Sequence, residues 1–475
     1  MAERITPRAE DFAQWYSDII QHAKLADQSP VRGCMVLRPN GYALWEVVQR
    51  ELDKKFKETG HRNAYFPMLI PESFLKKEKD HVEGFAPQLA VVTHGGGKEL
   101  EEPLVIRPTS ETIINFMYSK WIQSYRDLPV LINQWANVVR WEMRTKPFLR
   151  TLEFLWQEGH TCHETDVEAR KETLKMLDVY LSFLRDTFAI PVIPGEKTPS
   201  EKFAGALQTY CVEAMMQDKK ALQAATSHYF GTKFAEAFDI KFQDRTGKQQ
   251  FVNQTSWGIS TRVIGALIMT HSDDQGLVLP PKAAPLPVVI VPIIMKNKDN
   301  SQVLEVSRKV HAEISKKVTC YLDDREEQSA GYKFNEYEIQ GVPVRVEIGL
   351  RDLVNGIGTV ARRDGVKVQV KIEEIASVVE KTLSEFQIAL YDKASKRLKE
   401  NTFIEDDYKK FQEKLEANGG FYQMHWCGKD ACEAKVKEET KATIRCVPFN
   451  QIKESGKCIS CHGPSGGRVI FARSY

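Results

Sequence analysis

Residues 138–144 read Val138-Val139-Arg140-Trp141-Glu142-Met143-Arg144, followed by Pro147-Phe148-Leu149-Arg150-Thr151 and by Glu153-Phe154-Leu155-Trp156-Gln157-Glu158-Gly159-His160. Read as two strands around a loop, the stretch puts Arg140, Glu142 and Arg144 on one strand face, because strand side chains alternate with a period of two. A planar guanidinium fork suits carboxylate and phosphate alike, so Arg140 is placed to clamp two such groups against each other. Alternating charge by itself also fits a salt-bridged sheet face. The surrounding sequence decides between the two.

Working outward, Leu44, Trp45, Val48, Leu52 and Phe56 fall at helical spacing between Gly41 and Lys57, and Gly60 ends that helix. A short apolar strand, Ala64 to Phe66, then runs into Pro67, a residue suited to a strand end or edge. Val252 to Ile259 reads as a further strand. The first 280 residues or so thus combine long helices with a mainly antiparallel sheet, an α+β arrangement. Pro280, Pro281, Pro285 and Pro287 mark a stiff linker. Beyond it, strands at Val288 to Ile294, Val318 to Leu322 and Val342 to Ile348 alternate with helices at Val303 to Lys317 and Tyr332 to Gln340, the order of a small α/β domain. A long helix from Ile372 to Lys399 precedes a cysteine-bearing end. The expected units are 1–283, 284–400 and 401–475.

The 475 residues are 42% hydrophobic and 27% charged, a globular composition long enough for two to four domains. Net charge is +2, so only local patches can serve a nucleic-acid partner. The N-terminus lacks a secretory core and no apolar run approaches the roughly 18 residues of a membrane span, so a cytoplasmic location without membrane contact is expected. Five of nine cysteines lie near the C-terminus. Cys427 and Cys432 form C-x4-C, Cys458 and Cys461 form C-x2-C, and 25 residues separate the pairs. Four thiolates suit a closed tetrahedral zinc (Zn2+) site, with loss of the metal or a redox pair as the alternative. Such a metal would be structural, giving folding energy to a segment too small for a core. Cys446 and His462 are spare candidates.

These strings resemble the class II aminoacyl-tRNA synthetases, and among them the prolyl-tRNA synthetases of archaeal and eukaryotic type, over essentially the whole chain. The helix, strand and Pro67 look like the first class II motif, a dimer element, which implies a homodimer. Arg140 to Glu158 resembles the second, and Trp257-Gly258-Ile259-Ser260-Thr261-Arg262 the third, whose arginine holds the γ-phosphate. Arg107-Pro108-Thr109-Ser110-Glu111 matches the loop that reads the amino group. Gln223-Ala224-Ala225-Thr226-Ser227-His228 matches the segment that contacts adenosine and proline.

The resemblance implies ATP-dependent activation of L-proline and its transfer to the 3′ end of tRNA(Pro). It implies Thr109, Glu111, Trp156, Glu158 and His228 around proline, Arg140 on its carboxylate and Phe85 closing the pocket. For ATP it implies Arg140, Glu142, Arg150, Thr151, Gln223, Thr226, Ser260 and Arg262, with Arg140, Glu142 and Arg262 the catalytic set. Magnesium (Mg2+) is expected with ATP, and Glu142 and Glu158 are candidate metal or ligand-orienting carboxylates. The chemistry agrees: a secondary ammonium needs acceptors such as Glu111 and Thr109, and an apolar ring needs aromatic walls. The plainer alternative makes Trp156 and Phe85 core aromatics and His228 a satisfied core histidine.

The 284–400 unit resembles the anticodon-binding domain shared by several of these enzymes. Proline anticodons share two guanines, whose edges suit Arg or Lys and a carboxylate. Glu338, Arg345, Glu347 and Arg351 are the expected readers, against a bland surface of paired charges. Only 96 residues separate His160 from Trp257, which leaves no room for an inserted editing domain. A threonyl or histidyl enzyme, or a catalytically silent RNA-binding regulator, would be the competing identities. The first would call for zinc ligands in the core, where only Cys162 and His163 adjoin.

Overall fold

The computed structural model describes residues 5–75, 89–296, 298–451 and 453–475. Its spine is an eleven-stranded sheet in the order Thr402–Ile404, Phe421–His425, Arg468–Ala472, Thr443–Pro448, Val192–Glu196, Gln208–Met215, Ala221–Gly231, Asn253–Ser260, Glu153–His163, Val130–Val139 and Arg62–Asn63. Neighbours pair antiparallel except at the two outer edges, where Thr402–Ile404 and Arg62–Asn63 run parallel to the strand beside them. The longest ladder joins Val130–Val139 to Glu153–His163, from Val130↔Cys162 to Val139↔Glu153.

The helix Asp166–Asp186 packs on one face of this sheet. It opens with a capping box, in which Thr165 Oγ1 accepts from Glu168 N and the Glu168 carboxylate accepts from Thr165 N. Its buried stripe, Ala169, Thr173, Met176, Leu177, Tyr180 and Leu184, follows helical spacing. Together with Pro39–Glu58 it encloses a core that includes Trp45, Phe56, Tyr180 and Trp257, each nearly fully buried. Burying side chains of this size contributes about 1.5–3 kcal/mol each. Gly159 makes room for one of them: a Cβ there would meet the Trp257 ring at 2.1 Å. Trp257 therefore lies flat across the strand that carries Glu158.

Two expectations about this region are corrected. The ladder of the first strand ends at Val139, after which Arg140 N donates to Leu152 O at 2.7 Å and the chain turns through the loop 140–152. Arg140, Glu142 and Arg144 therefore share no strand face. The edge strand is Arg62–Asn63 rather than Ala64 to Phe66, because Phe66 N donates to the Gln134 side chain instead of to a neighbouring strand.

The prolines at 280–287 do not make a free spacer. Leu277, Val278, Leu279, Ala283 and Ala284 are buried, and Ala283 N and Ala284 N both donate to Pro280 O. Beyond them a five-stranded sheet runs Cys320–Leu322, Val288–Ile293, Val344–Gly349, Ile357–Arg362 and Lys367–Lys371. Its first three strands are parallel and the last two antiparallel. The central Val288–Ile293 is apolar on both faces, as a covered parallel strand must be. Helices Ser301–Ser315, Ala330–Ile339 and Ile375–Glu400 flank it, within two or three residues of the sequence-based ends.

The C-terminal unit is larger in structural terms than its sequence suggested. Phe411, Leu415, Tyr422, Met424, Val436, Ile444, Val469 and Phe471 form a core of their own. Its strand Thr443–Pro448 also continues the central sheet through Val447↔Glu196 and Pro448↔Gly195. The expectation of a segment too small for a core is thus overturned, since the shared sheet supplies one wall of that core.

Candidate active site

A cavity of about 230 Å³ opens on the central sheet where strands Glu153–His163, Ala221–Gly231 and Asn253–Ser260 lie side by side. Two buried carboxylates stand in its wall. Glu111 begins the helix Glu111–Trp121 and accepts from Thr109 Oγ1 and, at 3.4 Å, from Ser256 Oγ. Glu158 accepts from Ser110 Oγ, from Gln134 Nε2 at 2.8 Å and from His160 Nε2 at 3.0 Å. Burial pushes the Glu158 carboxyl up, but hydrogen bonds from His160, Ser110 and Gln134 outweigh it and hold the group below its ordinary value. Burial likewise disfavours charge on His160, yet Glu158 and Glu111 raise it above the usual imidazole range. The two form a buried, hydrogen-bonded pair in which each favours the other's charged form.

Arg140 projects into the same cavity. Its Nε donates to Pro108 O at 2.9 Å, and its guanidinium carbon lies 5.5 Å from the Phe154 ring and 5.4 Å from the Trp156 ring. Burial lowers it to about 10, opposed chiefly by the Glu111 charge, so it stays cationic near neutral pH. Arg262 lines the cavity and donates from Nε to Leu149 O at 3.1 Å; burial lowers its pKa and nearby Arg150 lowers it further. His228 is fixed through Nδ1 to Thr209 Oγ1 at 3.0 Å and Nε2 to Thr226 Oγ1 at 3.1 Å. Burial drives it down to about 4, so it is neutral at pH 7.

The cavity therefore offers carboxylate and hydroxyl acceptors for a cation and two guanidiniums for anions, with the Phe154 and Trp156 rings beside Arg140. A small zwitterion joined to a polyphosphate matches that set of charges.

Three family models match the chain. The tRNA synthetase class II core domain (G, H, P, S and T) covers residues 92–271, the anticodon binding domain covers 287–382, and the C-terminal domain of prolyl-tRNA synthetase covers 408–475. The chain is 55% identical to a proline–tRNA ligase of Chlorobium phaeobacteroides (strain DSM 266 / SMG 266 / 2430) and 56% identical to one of Chloroherpeton thalassium (strain ATCC 35110 / GB-78). It is 55% identical to a third from Prosthecochloris aestuarii (strain DSM 271 / SK 413), and each match spans all of both chains. The chain belongs to the prolyl-tRNA synthetase family.

Ten residues singled out in the sequence as a prolyl-tRNA synthetase site meet in this one cavity: Thr109, Glu111, Arg140, Trp156, Glu158, Gln223, Thr226, His228, Ser260 and Arg262. Three do not line it. Thr151 is buried with its hydroxyl on Glu153 O at 2.7 Å, in a separate apolar pocket with Met35, Leu37 and Leu155. Glu142 and Arg150 lie on the loop 140–152 and reach the cavity through charge, Glu142 on Arg140 and Arg262, and Arg150 on Arg262. Phe85 lies outside the described residues. Glu158, taken as a candidate metal ligand, has its carboxylate engaged by serine, glutamine and histidine, so the alternative of an orienting carboxylate fits it better.

Sequence reasoning missed Phe154, His160, Glu201, Phe203, Thr209 and Ser256 in the lining. Phe154 and His160 flank Trp156 and Glu158 at a period of two, so strand alternation alone would have found them. Phe203 and Thr209 come from a loop and a strand with no comparable local signal.

Elsewhere, Cys427, Cys432, Cys458 and Cys461 place their four sulfurs within 4.8 Å of one another. The Cys427–Cys432 and Cys461–Cys427 separations are 3.6 and 3.7 Å. Sulfurs around a tetrahedral zinc with bonds of roughly 2.3 Å stand about 3.8 Å apart, so the set fits such an ion. Cys446 lies instead beside Cys211. Among the described residues no other such group forms, Cys162 and His163 included.

In the anticodon unit, Glu338 and Arg345 line a cavity of about 160 Å³ with Arg362, Arg363 and Lys367. Arg345 stacks 4.1 Å over Phe334 and donates from Nη2 to Glu347 at 2.8 Å. Arg351 stands apart on the short helix Leu350–Val354.

Proposed function

We propose that the cavity activates L-proline with ATP and passes it to the 3′ end of tRNA(Pro), a reading supported by the relatives being proline–tRNA ligases. The observation that carries this is that one cavity wall brings together the acceptors Thr109 and Glu111, the aromatic Trp156 and the guanidiniums of Arg140 and Arg262, with Glu111 the carboxylate acting most strongly on Arg140. The proline ammonium faces Glu111, and Arg140 holds the proline carboxylate beside the α-phosphate. That carboxylate is already ionised, so it attacks phosphorus without a general base; the new C–O–P bond forms as the bond to pyrophosphate breaks. A terminal ribose hydroxyl of the tRNA then displaces AMP. Arg262 neutralises charge on the outer phosphates, and neutral His228, both ring nitrogens held by Thr209 and Thr226, walls the pocket without repelling the ammonium.

Magnesium, when bound, screens the phosphates further. We assign Glu142, on the loop 140–152, as the carboxylate beside it. The four clustered cysteines hold a structural zinc. Glu338, Arg345 and Glu347, with Arg351 at the margin, read the anticodon; the cations Arg362, Arg363 and Lys367 around them support this. The chain divides at 1–283, 284–400 and 401–475.

The enzyme is of the archaeal and eukaryotic type although the relatives named above come from bacteria; the short stretch between the second and third motifs and the cysteine-bearing C-terminal unit support that reading. It works as a homodimer in the cytoplasm, with the helix Pro39–Glu58 at the dimer element. Among the described residues no helix is long and apolar enough to cross a membrane. ATP–pyrophosphate exchange with each of the twenty amino acids tests the reading: proline should dominate, and dominance by threonine or histidine would refute it.

A further inference from the structure

The loop between strands Val192–Glu196 and Gln208–Met215 sends two residues, Glu201 and Phe203, into the cavity wall. The Phe203 ring lies 4.5 Å from that of His228, centroid to centroid. Phe203 N donates to Thr209 Oγ1 at 3.0 Å, and the same hydroxyl bonds His228 Nδ1. The position of His228 in the cavity thus depends on how this loop is held.

The hold on its other end comes from the C-terminal unit. Glu433, on the helix Asp430–Thr440, is 3% exposed and accepts from Thr198 Oγ1 at 3.0 Å and Ser200 Oγ at 2.7 Å, residues 235 and 233 positions away. A buried carboxylate is costly unless hydrogen-bonded, so these two hydroxyls and Glu433 fix one another. One turn further on, Lys437 pairs with Glu201 at 3.1 Å, an exposed contact that adds little by itself. Just before the loop, Lys197 Nζ donates to Arg445 O at 2.8 Å, again across to the C-terminal unit.

We propose that Glu433 is a positioning residue for the amino-acid end of the cavity: through Thr198 and Ser200 it keeps Phe203 packed on His228. The inference rests on the assignment of that cavity to proline. It makes the C-terminal unit a determinant of amino-acid affinity although none of its described residues lines the cavity.

The test uses the full chain carrying Glu433→Ala, Glu433→Gln, Ser200→Ala and the Glu433→Ala/Ser200→Ala pair. In ATP–pyrophosphate exchange, Glu433→Ala should raise KM for proline about tenfold with kcat and KM for ATP within about twofold. Glu433→Gln, which keeps an acceptor oxygen, should restore most of the affinity, and the double variant should be no worse than Glu433→Ala, because the two residues act as one unit. A second readout needs no substrate: trypsin should cut after exposed Lys202 several times faster in Glu433→Ala than in wild type. An unchanged KM for proline, an equal loss for proline and ATP, or unchanged cleavage at Lys202 would overturn the proposal. Were wild type to activate a different amino acid, the proline assignment would fail while the tryptic readout still reported on the loop.

Discussion

Glu158 and His160 stand two positions apart on one strand, face the same cavity and share a 3.0 Å hydrogen bond with both side chains buried. Each sets the other's charge: the glutamate pKa is held down and the histidine pKa raised. Each member, costly to charge alone in a buried setting, has its charged form favoured by the other.

A pH dependence of stability follows. A depressed carboxylate contributes stability above its unfolded value that is lost as pH falls through its folded value, and a raised histidine contributes below its unfolded value and loses it as pH rises through its folded value. The pair is therefore fully stabilising between the ordinary ranges of a glutamate and a histidine, roughly pH 4.5 to 6.5. Denaturant melts from pH 5.5 to 8.5 should show a decline in wild type that His160→Gln flattens, with His160→Gln less stable by about 3 kcal/mol at pH 5.5. An identical pH slope in the two proteins would contradict the pairing.

Metal analysis of protein purified without chelator should give one zinc per chain. Because the C-terminal unit has its own core and shares the central sheet, Cys458→Ser should loosen that unit, seen as faster proteolysis after residue 401, while adenylate formation persists. Protein without zinc, or Cys458→Ser protein devoid of adenylate formation, would contradict this account.

A pocket that excludes larger side chains by clash only loses contacts with smaller ones, worth about 1–3 kcal/mol per missing methylene. Alanine and cysteine should therefore be activated measurably, cysteine the better of the two. Offered alanyl-tRNA(Pro), the protein should leave it intact; deacylation well above the spontaneous rate would reveal a hydrolytic site.

What could be read from sequence, and what could not, follows the range of the interactions. The 153–160 strand was legible as a strand, but Trp156 and Glu158 were reached through the family resemblance; alternation, which is local, puts them with Phe154 and His160 on the face that lines the cavity. The supposed face of Arg140, Glu142 and Arg144 failed because the ladder stops at Val139, where the chain turns toward Leu152. Nothing near Phe203 in sequence tells that it packs on His228, and nothing near Val447 tells that it pairs with Glu196. Both contacts are closed by the fold across distant segments. The cysteine quartet was legible from spacing alone, since thiol clusters carry their own geometry.

The measurement that bears most directly on the site is ATP–pyrophosphate exchange with proline by Arg140→Ala. Arg140 is half-buried, held by Pro108 O and flanked by Phe154 and Trp156, and charged contacts to the reacting groups in such a setting are worth roughly 3–4 kcal/mol. Exchange should fall at least about a hundredfold with an unchanged melting temperature. Activity within about tenfold of wild type, in a protein of unaltered stability, would contradict the assignment of this cavity as the site of proline activation.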